Sequence, residues 1–316
     1  MKLSELQKEL AELSLQTERK ESINVMMENL QNEELQLIDK ESELRAILGK
    51  EQADAERLER TTAASLLYGL MGTKEEKLRK EQQKAAAAKM KYDALLKQLN
   101  DCRKRMQMLA DERMTLQSAD EKSSIVSVQI QEELRSDPRY ADKICSLQKE
   151  NAENETQKRE LSEAVQAGKA ALVQIQSIKK SLDSAKGWGT VDVFGGGLMS
   201  DIINHSNLNQ AQNEAEHLQV LLSRFQSELS DVHVTGDMPP INIDGFLGFA
   251  DFFFDGMISD WMVLSRINDS ARNVRRVELQ VEDQLKKLEY MQSVRESNTI
   301  RLQSEIEELV ETAGTE

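Results

Sequence analysis

The chain has 316 residues, of which 31% are charged, 4% are aromatic and only 3 are proline. This composition is typical of long helices with a narrow apolar stripe and argues against two ordinary globular domains. The net charge of −15 disfavours general attraction to nucleic acid or to anionic lipid.

The two cysteines, Cys102 and Cys145, do not form a paired spacing. A disulfide framework and a cysteine metal site are therefore not predicted, and a reducing, cytoplasmic compartment is favoured. The N-terminus lacks the continuous apolar run of a signal peptide, and no stretch of about 20 residues is free of charge. We therefore expect no ordinary membrane span.

The first predicted helix extends from about residue 3 to about residue 67. Its leucines begin with 3-4-3 spacing, and the apolar stripe then slips into a second phase. Two glycines at 69 and 72 break the helix, and Thr73 with Glu76 forms a capping box that starts a second helix. The sequence predicts an N-terminal helical hairpin over 1–118, with its turn at 69–73.

The second helix has the most regular apolar seam in the chain. Cys102 lies on this seam, which predicts a buried small apolar side chain rather than a reactive thiol. Residues 73–115 carry 12 Lys and Arg against 7 Asp and Glu, whereas residues 1–60 carry 9 against 15. We expect the basic helix to face the acidic one, which is favoured over a nucleic-acid-binding arm. The predicted seam consists of Leu78, Ala85, Ala88, Tyr92, Leu95, Leu99, Cys102, Met106, Leu109 and Leu116.

A connecting region and a third long helix are predicted over 119–186. The composition of residues 117–124 favours a turn, a short helix follows at 124–136, and Pro138 begins the long helix. The seam is weak through the polar stretch 149–160, where fraying or an exposed single helix is expected. It is strong afterwards, at Leu161, Val165, Leu172, Ile175, Ile178 and Leu182.

An internal duplication follows that helix. Residues 189–209 and 248–268 align at an offset of 59, with identical residues at eight of 21 positions. Each copy is followed by a helix whose seam repeats at the same offset, from Leu208 to Leu229 and from Ile267 to Leu288. The predicted units are a first head segment plus helix at 187–232, an extended strap containing Pro239 and Pro240 at 233–245, and a second head segment plus helix at 246–316.

The duplicated segments combine glycine with most of the aromatic residues of the chain, which predicts a small apolar head. The alternative for the aromatic residues is an intramolecular core. The glycines are expected to be structural, through close backbone approach or positive φ. The interaction candidates are Trp188, Phe194, Phe252, Phe253, Phe254 and Trp261, and the structural glycines are Gly189, Gly197, Gly248 and Gly256.

Four aspartates are also matched between the copies: Asp192, Asp201, Asp251 and Asp260. They could bind a divalent cation through carboxylate oxygens, but helix capping and solvent exposure are favoured. No dinucleotide fingerprint, phosphate loop, nucleophile elbow or metal-binding histidine motif occurs. The sequence therefore predicts no enzyme activity, no metal and no cofactor.

The stretches SAKGWGTVDVFGGGLMSDIINHS and FFDGMISDWMVLSRIN resemble segments of uncharacterised bacterial coiled-coil proteins with a Gly-rich duplicated apolar segment. The resemblance covers about residues 180–275. It supports the head as a unit and implies no function.

The fold class predicted is all-α: an elongated antiparallel coiled coil or helical bundle with a small Gly-rich apolar head. The predicted function is cytoplasmic interaction or scaffolding, in which the head binds a protein partner or a second copy of the chain. The alternative is a membrane-active helical protein that inserts residues 246–264 into lipid under some conditions. Binding of nucleic acid is disfavoured.

Overall fold

The computed structural model describes residues 3–66, 73–133, 138–189, 200–232 and 267–315, and α-helices form nearly all of them. No strand occurs within these ranges. The predicted all-α class is confirmed for this part of the chain. The helices are α1 (Leu3–Leu66), α2 (Thr73–Thr115), α3 (Ala119–Glu133), α4 (Pro138–Gly189), α5 (Ser200–Asp231) and α6 (Ile267–Thr315).

Helices α1 and α2 pack side by side in antiparallel orientation. Near the middle of α1, the Cys102 thiol lies 3.4 Å from the carbonyl oxygen of Leu30. Further along α1, the Tyr92 hydroxyl donates a hydrogen bond of 2.7 Å to Glu41. Residue numbers therefore rise along α1 as they fall along α2, and the predicted antiparallel pairing of the first two helices is confirmed.

Helix α3 extends the same arrangement along the N-terminal part of α1. Ala119 is buried at its start, and Lys20 forms an ion pair with Asp120. The turn predicted over 117–124 was too long, because helix resumes at Ala119 after a turn at 116–118. A core cluster joins Leu6 and Leu10 of α1 to Val126 and Ile130 of α3 and to Ile144 of α4.

Helix α4 packs between α5 and α6 and runs antiparallel to both. Along α5, Gln174 bonds to the Glu214 carbonyl, and Gly168 approaches Phe225. Along α6, Asn154 bonds to Thr299 while Lys179 pairs with Glu278. The N-terminal ends of α5 and α6 therefore both point towards the C-terminal end of α4.

The largest core cluster is formed by α4, α5 and α6. It contains the described part of the seam that the sequence predicted on α5. The equivalent positions on α6, at an offset of 59, are also buried. The buried positions are Ala215, Leu218, Leu222, Phe225 and Leu229 on α5 and Val274, Val277, Val281, Gln284 and Leu288 on α6.

The polar stretch 149–160 differs from its prediction. It lies within the continuous helix α4, and four of its residues are buried rather than frayed or exposed: Ala152, Asn154, Thr156 and Glu160. For Asn154 the physical reason is that α6 supplies hydrogen-bond partners, and for Glu160 it is that Ser22 of α1 donates a hydrogen bond. The Asn154 amide donates to the Arg295 carbonyl at 3.0 Å and to the Thr299 hydroxyl at 2.8 Å. A hydrogen-bonded polar side chain can be buried with little penalty.

Two helix boundaries near the first duplicated segment also differ. Helix α4 continues to Gly189, although the glycines at 187 and 189 predicted an earlier end. Helix α5 begins at Ser200, well inside the segment 189–209, although the helix was expected to begin after it. A glycine disfavours a helix by only about 1 kcal/mol relative to alanine, so local sequence signals alone do not fix these boundaries.

Candidate functional site

Most of the residues that the sequence singled out lie outside the described residues. Those outside are Phe194, Gly197, Gly248, Phe252, Phe253, Phe254, Gly256 and Trp261, together with Asp192, Asp251 and Asp260. Trp188 and Gly189 are the last two residues of α4, and Asp201 is the second residue of α5. Their proposed roles stay predictions.

The structure describes a different feature of chemical interest, a set of charged side chains where α1, α2, α4 and α5 meet. We call it the junction cluster. It was not predicted, although the slip of the apolar stripe between Leu13 and Ile23 of α1 marks its position. The junction cluster consists of Arg19, Arg105, Glu112, Arg159, Glu160, Glu163, Glu228 and Asp231. Arg19, Glu160 and Asp231 are buried, Arg159 is exposed and the others are partly buried.

Arg19 is the centre of one half of the junction cluster. Only 6% of the residue is exposed, and its guanidinium donates two hydrogen bonds to the Glu112 carboxylate, at 2.8 and 3.0 Å. A second carboxylate, that of Glu163, lies 3.9 Å away. Burial acts to lower the pKa of Arg19, but the hydrogen bond to Glu112 and the nearby carboxylates raise it on balance. The bidentate geometry fits a guanidinium and a carboxylate well.

The Glu112 carboxylate contacts guanidinium groups from two helices. The hydrogen bonds from Arg19 on α1 lower the pKa of Glu112, and Arg159 on α4, at 3.2 Å, acts in the same direction. Arg159 also bonds to Glu163 at 3.0 Å. This half of the junction cluster therefore links α1, α2 and α4 by ionised pairs. Nearby, the Ser22 hydroxyl of α1 donates to Glu160 of α4 at 2.5 Å.

The other half of the junction cluster lies at the C-terminal end of α5. Arg105 of α2 donates to the Ser227 hydroxyl at 2.6 Å and lies 3.9 Å from the Glu228 carboxylate. The Asn29 amide of α1 donates to the Asp231 carboxylate at 2.8 Å. Burial raises the pKa of Asp231 to about 6, and it also raises the pKa of Glu228. Both shifts follow from placing an acid where its charged form is poorly solvated.

The junction cluster can bind protons through its carboxyl groups, and its ion pairs can hold helices together. Its carboxyl groups outnumber its guanidinium groups, so ionisation of all of them leaves excess negative charge in a poorly solvated place. Among the residues whose placement is described, no group of three or more His, Cys, Asp or Glu could hold a metal ion. The cluster contains no thiol or imidazole.

Cys102 lies on the seam between α1 and α2, as the sequence predicted. It is fully buried, and burial raises the pKa of its thiol to about 11. Because the thiolate is the reactive form, we expect a thiol reagent at pH 7.5 to label Cys102 far more slowly than in urea-unfolded protein. Intact-mass spectrometry with peptide mapping measures this, and the half-buried Cys145 is the internal comparison. Stoichiometric labelling of native Cys102 within minutes would contradict its place in the seam.

The fold and the junction cluster define the class of this protein as an all-α helical bundle whose helices are joined by both apolar seams and partly buried ion pairs. Comparison with protein-family models, with curated proteins and with solved structures finds no match to the chain. No helix within the described ranges is long and apolar enough to cross a membrane.

Proposed function

We propose that this protein is a non-enzymatic interaction or scaffolding protein of the coiled-coil type. In this proposal its duplicated apolar segments form a head at one end of the bundle, and the head binds a partner protein or a second copy of the chain. The observation that carries the proposal is the common direction of α5 and α6. Both helices begin at the end of α4 that leads into the first duplicated segment.

The contacts near that end of α4 support this placement. Lys179 pairs with Glu278 of α6 at 2.8 Å, and Ser181 donates to Glu214 of α5 at 3.1 Å. From these contacts α5 continues back to Ser200 and α6 to Ile267, both towards the end of α4. The first duplicated segment joins α4 to α5, and the second leads directly into α6. Chain connectivity therefore favours one shared head over two separate ones.

The matched seams of α5 and α6 support an origin by duplication. Leu218 and Val277 are equivalent at the offset of 59, and both are buried in the same core cluster. The same holds for Leu222 with Val281. Two helices that derive from one ancestral unit are expected to present the same face to a shared neighbour, and here that neighbour is α4.

The length of the helices fits a spacing role. Helix α1 has 64 residues and, at about 1.5 Å per residue, extends roughly 96 Å. A long rigid helix pair sets the distance between its ends, and an apolar head at one end supplies a binding surface. Aromatic anchors dominate the energetics of such surfaces.

Self-association through the head is tested by replacing two of its aromatic residues. We expect the wild-type mass in sedimentation equilibrium to rise with protein concentration, and the Phe253→Ala/Trp261→Ala variant to stay closer to the monomer mass. Loss of two aromatic anchors at an interface raises Kd by at least about tenfold. The control is Tyr290→Ala, which removes an aromatic side chain that is 56% exposed on α6.

Two outcomes would count against the proposal. An equal effect of the head variant and the Tyr290→Ala control would remove the head from the interface. Flotation of the wild type with anionic liposomes at pH 5 or pH 7.5 would favour the membrane-active alternative, because residues 246–264 are rich in apolar side chains and carry three aspartates.

A further inference from the structure

The C-terminal turn of α5 makes a small and chemically mixed contact with α1 and α2. Its apolar anchors are Leu229 and Val232, which are both buried in the core cluster that α5 shares with α4 and α6. Around these anchors, Asp231 faces Asn29 of α1, and Ser227 faces Arg105 of α2. These contacts hold the C-terminal end of α5 against α1 and α2.

Charged groups of α1, α2 and α4 lie near this turn. Helix α4 contributes Glu160 and Glu163, whose charges raise the pKa of Asp231, whereas the hydrogen bond from Asn29 of α1 and the guanidinium of Arg105 from α2 lower it. Helix α1 contributes Glu33, which accepts a hydrogen bond from Ser223 at 3.0 Å. The remaining charged groups nearby are Arg19 of α1, Glu112 of α2, Arg159 of α4, and Arg224 and Glu228 of α5.

The C-terminal end of α5 also disfavours ionisation of its two acidic residues. Glu228 and Asp231 lie in the last turn of α5, and that turn contains no basic residue. The carbonyl groups at a helix C-terminus carry partial negative charge, which disfavours an ionised carboxylate there. Three causes thus act against ionisation of these two acids: burial, neighbouring carboxylates and the helix end.

We propose that the C-terminal turn of α5 is a proton-controlled latch, held on α1 and α2 while Asp231 and Glu228 are protonated and loosened when they ionise. The apolar anchors favour the docked turn in both protonation states. Ionisation of the carboxyl groups increases the fraction of molecules in which the turn is open. The latch operates whether or not the apolar segments bind a partner.

The raised acid pKa values of the docked turn fix the direction of the effect. An acid whose pKa is raised by docking binds a proton more tightly in the docked state than in the open state. The stabilisation is therefore fully present below the ordinary aspartate pKa and is lost as pH rises through about 6, the value for Asp231. The latch is tight in acid and loose at neutral pH.

Hydrogen exchange of the full chain tests the latch. Protection factors, which are corrected for the intrinsic pH dependence of exchange, are measured for the amides of 226–232 at pH 5 and at pH 7.5. We expect them to fall about tenfold between these two conditions. The reason is that pH 5 lies about one unit below the pKa of about 6 for docked Asp231, and one unit corresponds to a tenfold change in the docking equilibrium. Amides of 215–222 in the same helix are expected to change much less.

Two variants separate the latch from a general effect of pH. Asp231→Asn keeps the oxygen that accepts from Asn29 but cannot ionise, so protection at 226–232 should stay high and its pH dependence should shrink to the part that Glu228 contributes. Asp283→Asn removes the same charge from an exposed ion pair with Lys287 on α6 and should behave as the wild type. The latch is overturned by a wild-type change below twofold, or by an Asp231→Asn variant that retains the full change.

Discussion

Replacing Gly168 by alanine is expected to lower the free energy of unfolding, although the same replacement at Gly49 is expected to raise it. Both glycines lie inside long helices, where alanine is intrinsically favoured by about 1 kcal/mol. At Gly49 an added Cβ meets nothing within 4 Å, so this gain is realised. At Gly168 the added Cβ lies 2.8 Å from side-chain atoms of both Leu285 and Phe225.

The clash at Gly168 is costly because the two side chains have little room to move. Phe225 is fully buried and Leu285 is 5% exposed, and they belong to the two helices that pack against α4. Overpacking a core costs about 1–3 kcal/mol, which exceeds the propensity gain at the middle of that range. We expect a net loss of about 1 kcal/mol for Gly168→Ala and about 3 kcal/mol for Gly168→Val.

Urea unfolding followed by circular dichroism at 222 nm measures both effects on one scale. Relative to the wild type, the urea midpoint should be lower for Gly168→Ala and lower still for Gly168→Val. It should be higher for Gly49→Ala. A higher midpoint for both alanine variants would mean that α4, α5 and α6 can separate enough to accept the methyl group. In that case the close approach at Gly168 is not needed for packing.

The apolar pattern was sufficient to predict the helices and much of their packing. The seams of α2 and α5 were predicted from 3-4 spacing, and that of α6 was predicted from the α5 positions at the offset of 59. Residues such as Leu95, Leu218 and Val277 are buried as these predictions require. The beginning of α2 at Thr73 also followed from sequence, because a capping box is a local signal. Local signals specify local structure.

What the sequence did not predict depends on partners that are distant along the chain. The burial of Asn154 requires Thr299, 145 residues away, and an isolated polar stretch gives no sign of such a partner. The role of Gly168 likewise depends on how closely α5 and α6 approach α4. The junction cluster could be predicted only as an irregularity in the stripe of α1, because its charges come from four helices.

Replacing Arg19 by methionine is expected to destabilise the bundle by about 2–4 kcal/mol at pH 7. Methionine matches the apolar stem of arginine, so the main change is loss of the guanidinium. Glu112 then loses two hydrogen bonds, and Glu163 loses a nearby positive charge. Removing one partner of a buried pair is costly because the other charge stays poorly solvated. Arg159, at 3.2 Å from Glu112, limits the loss.

The matched control is Arg301→Met. Arg301 of α6 pairs with Glu150 of α4 at 3.1 Å, but their side chains are 50% and 52% exposed. An exposed pair contributes about 0–1 kcal/mol, so this variant should unfold close to the wild type. The two substitutions are chemically identical and each removes an ion pair between helices. The difference between them therefore measures the effect of burial.

The pH dependence of the Arg19→Met effect provides an independent check of its cause. In the wild type, the hydrogen bonds from Arg19 lower the pKa of Glu112. The stabilisation linked to this shift is present above the ordinary glutamate pKa and is lost as pH falls through the lowered value. The difference in stability between wild type and Arg19→Met should consequently shrink between pH 7 and pH 3.

Adding Glu112→Gln to Arg19→Met should recover part of the loss at pH 7, because it removes the carboxylate left without its guanidinium partner. A loss that is equal at both pH values and unchanged by Glu112→Gln would mean that Arg19 acts through packing of its apolar stem, and that the ion pair contributes little to holding α1 and α2 together.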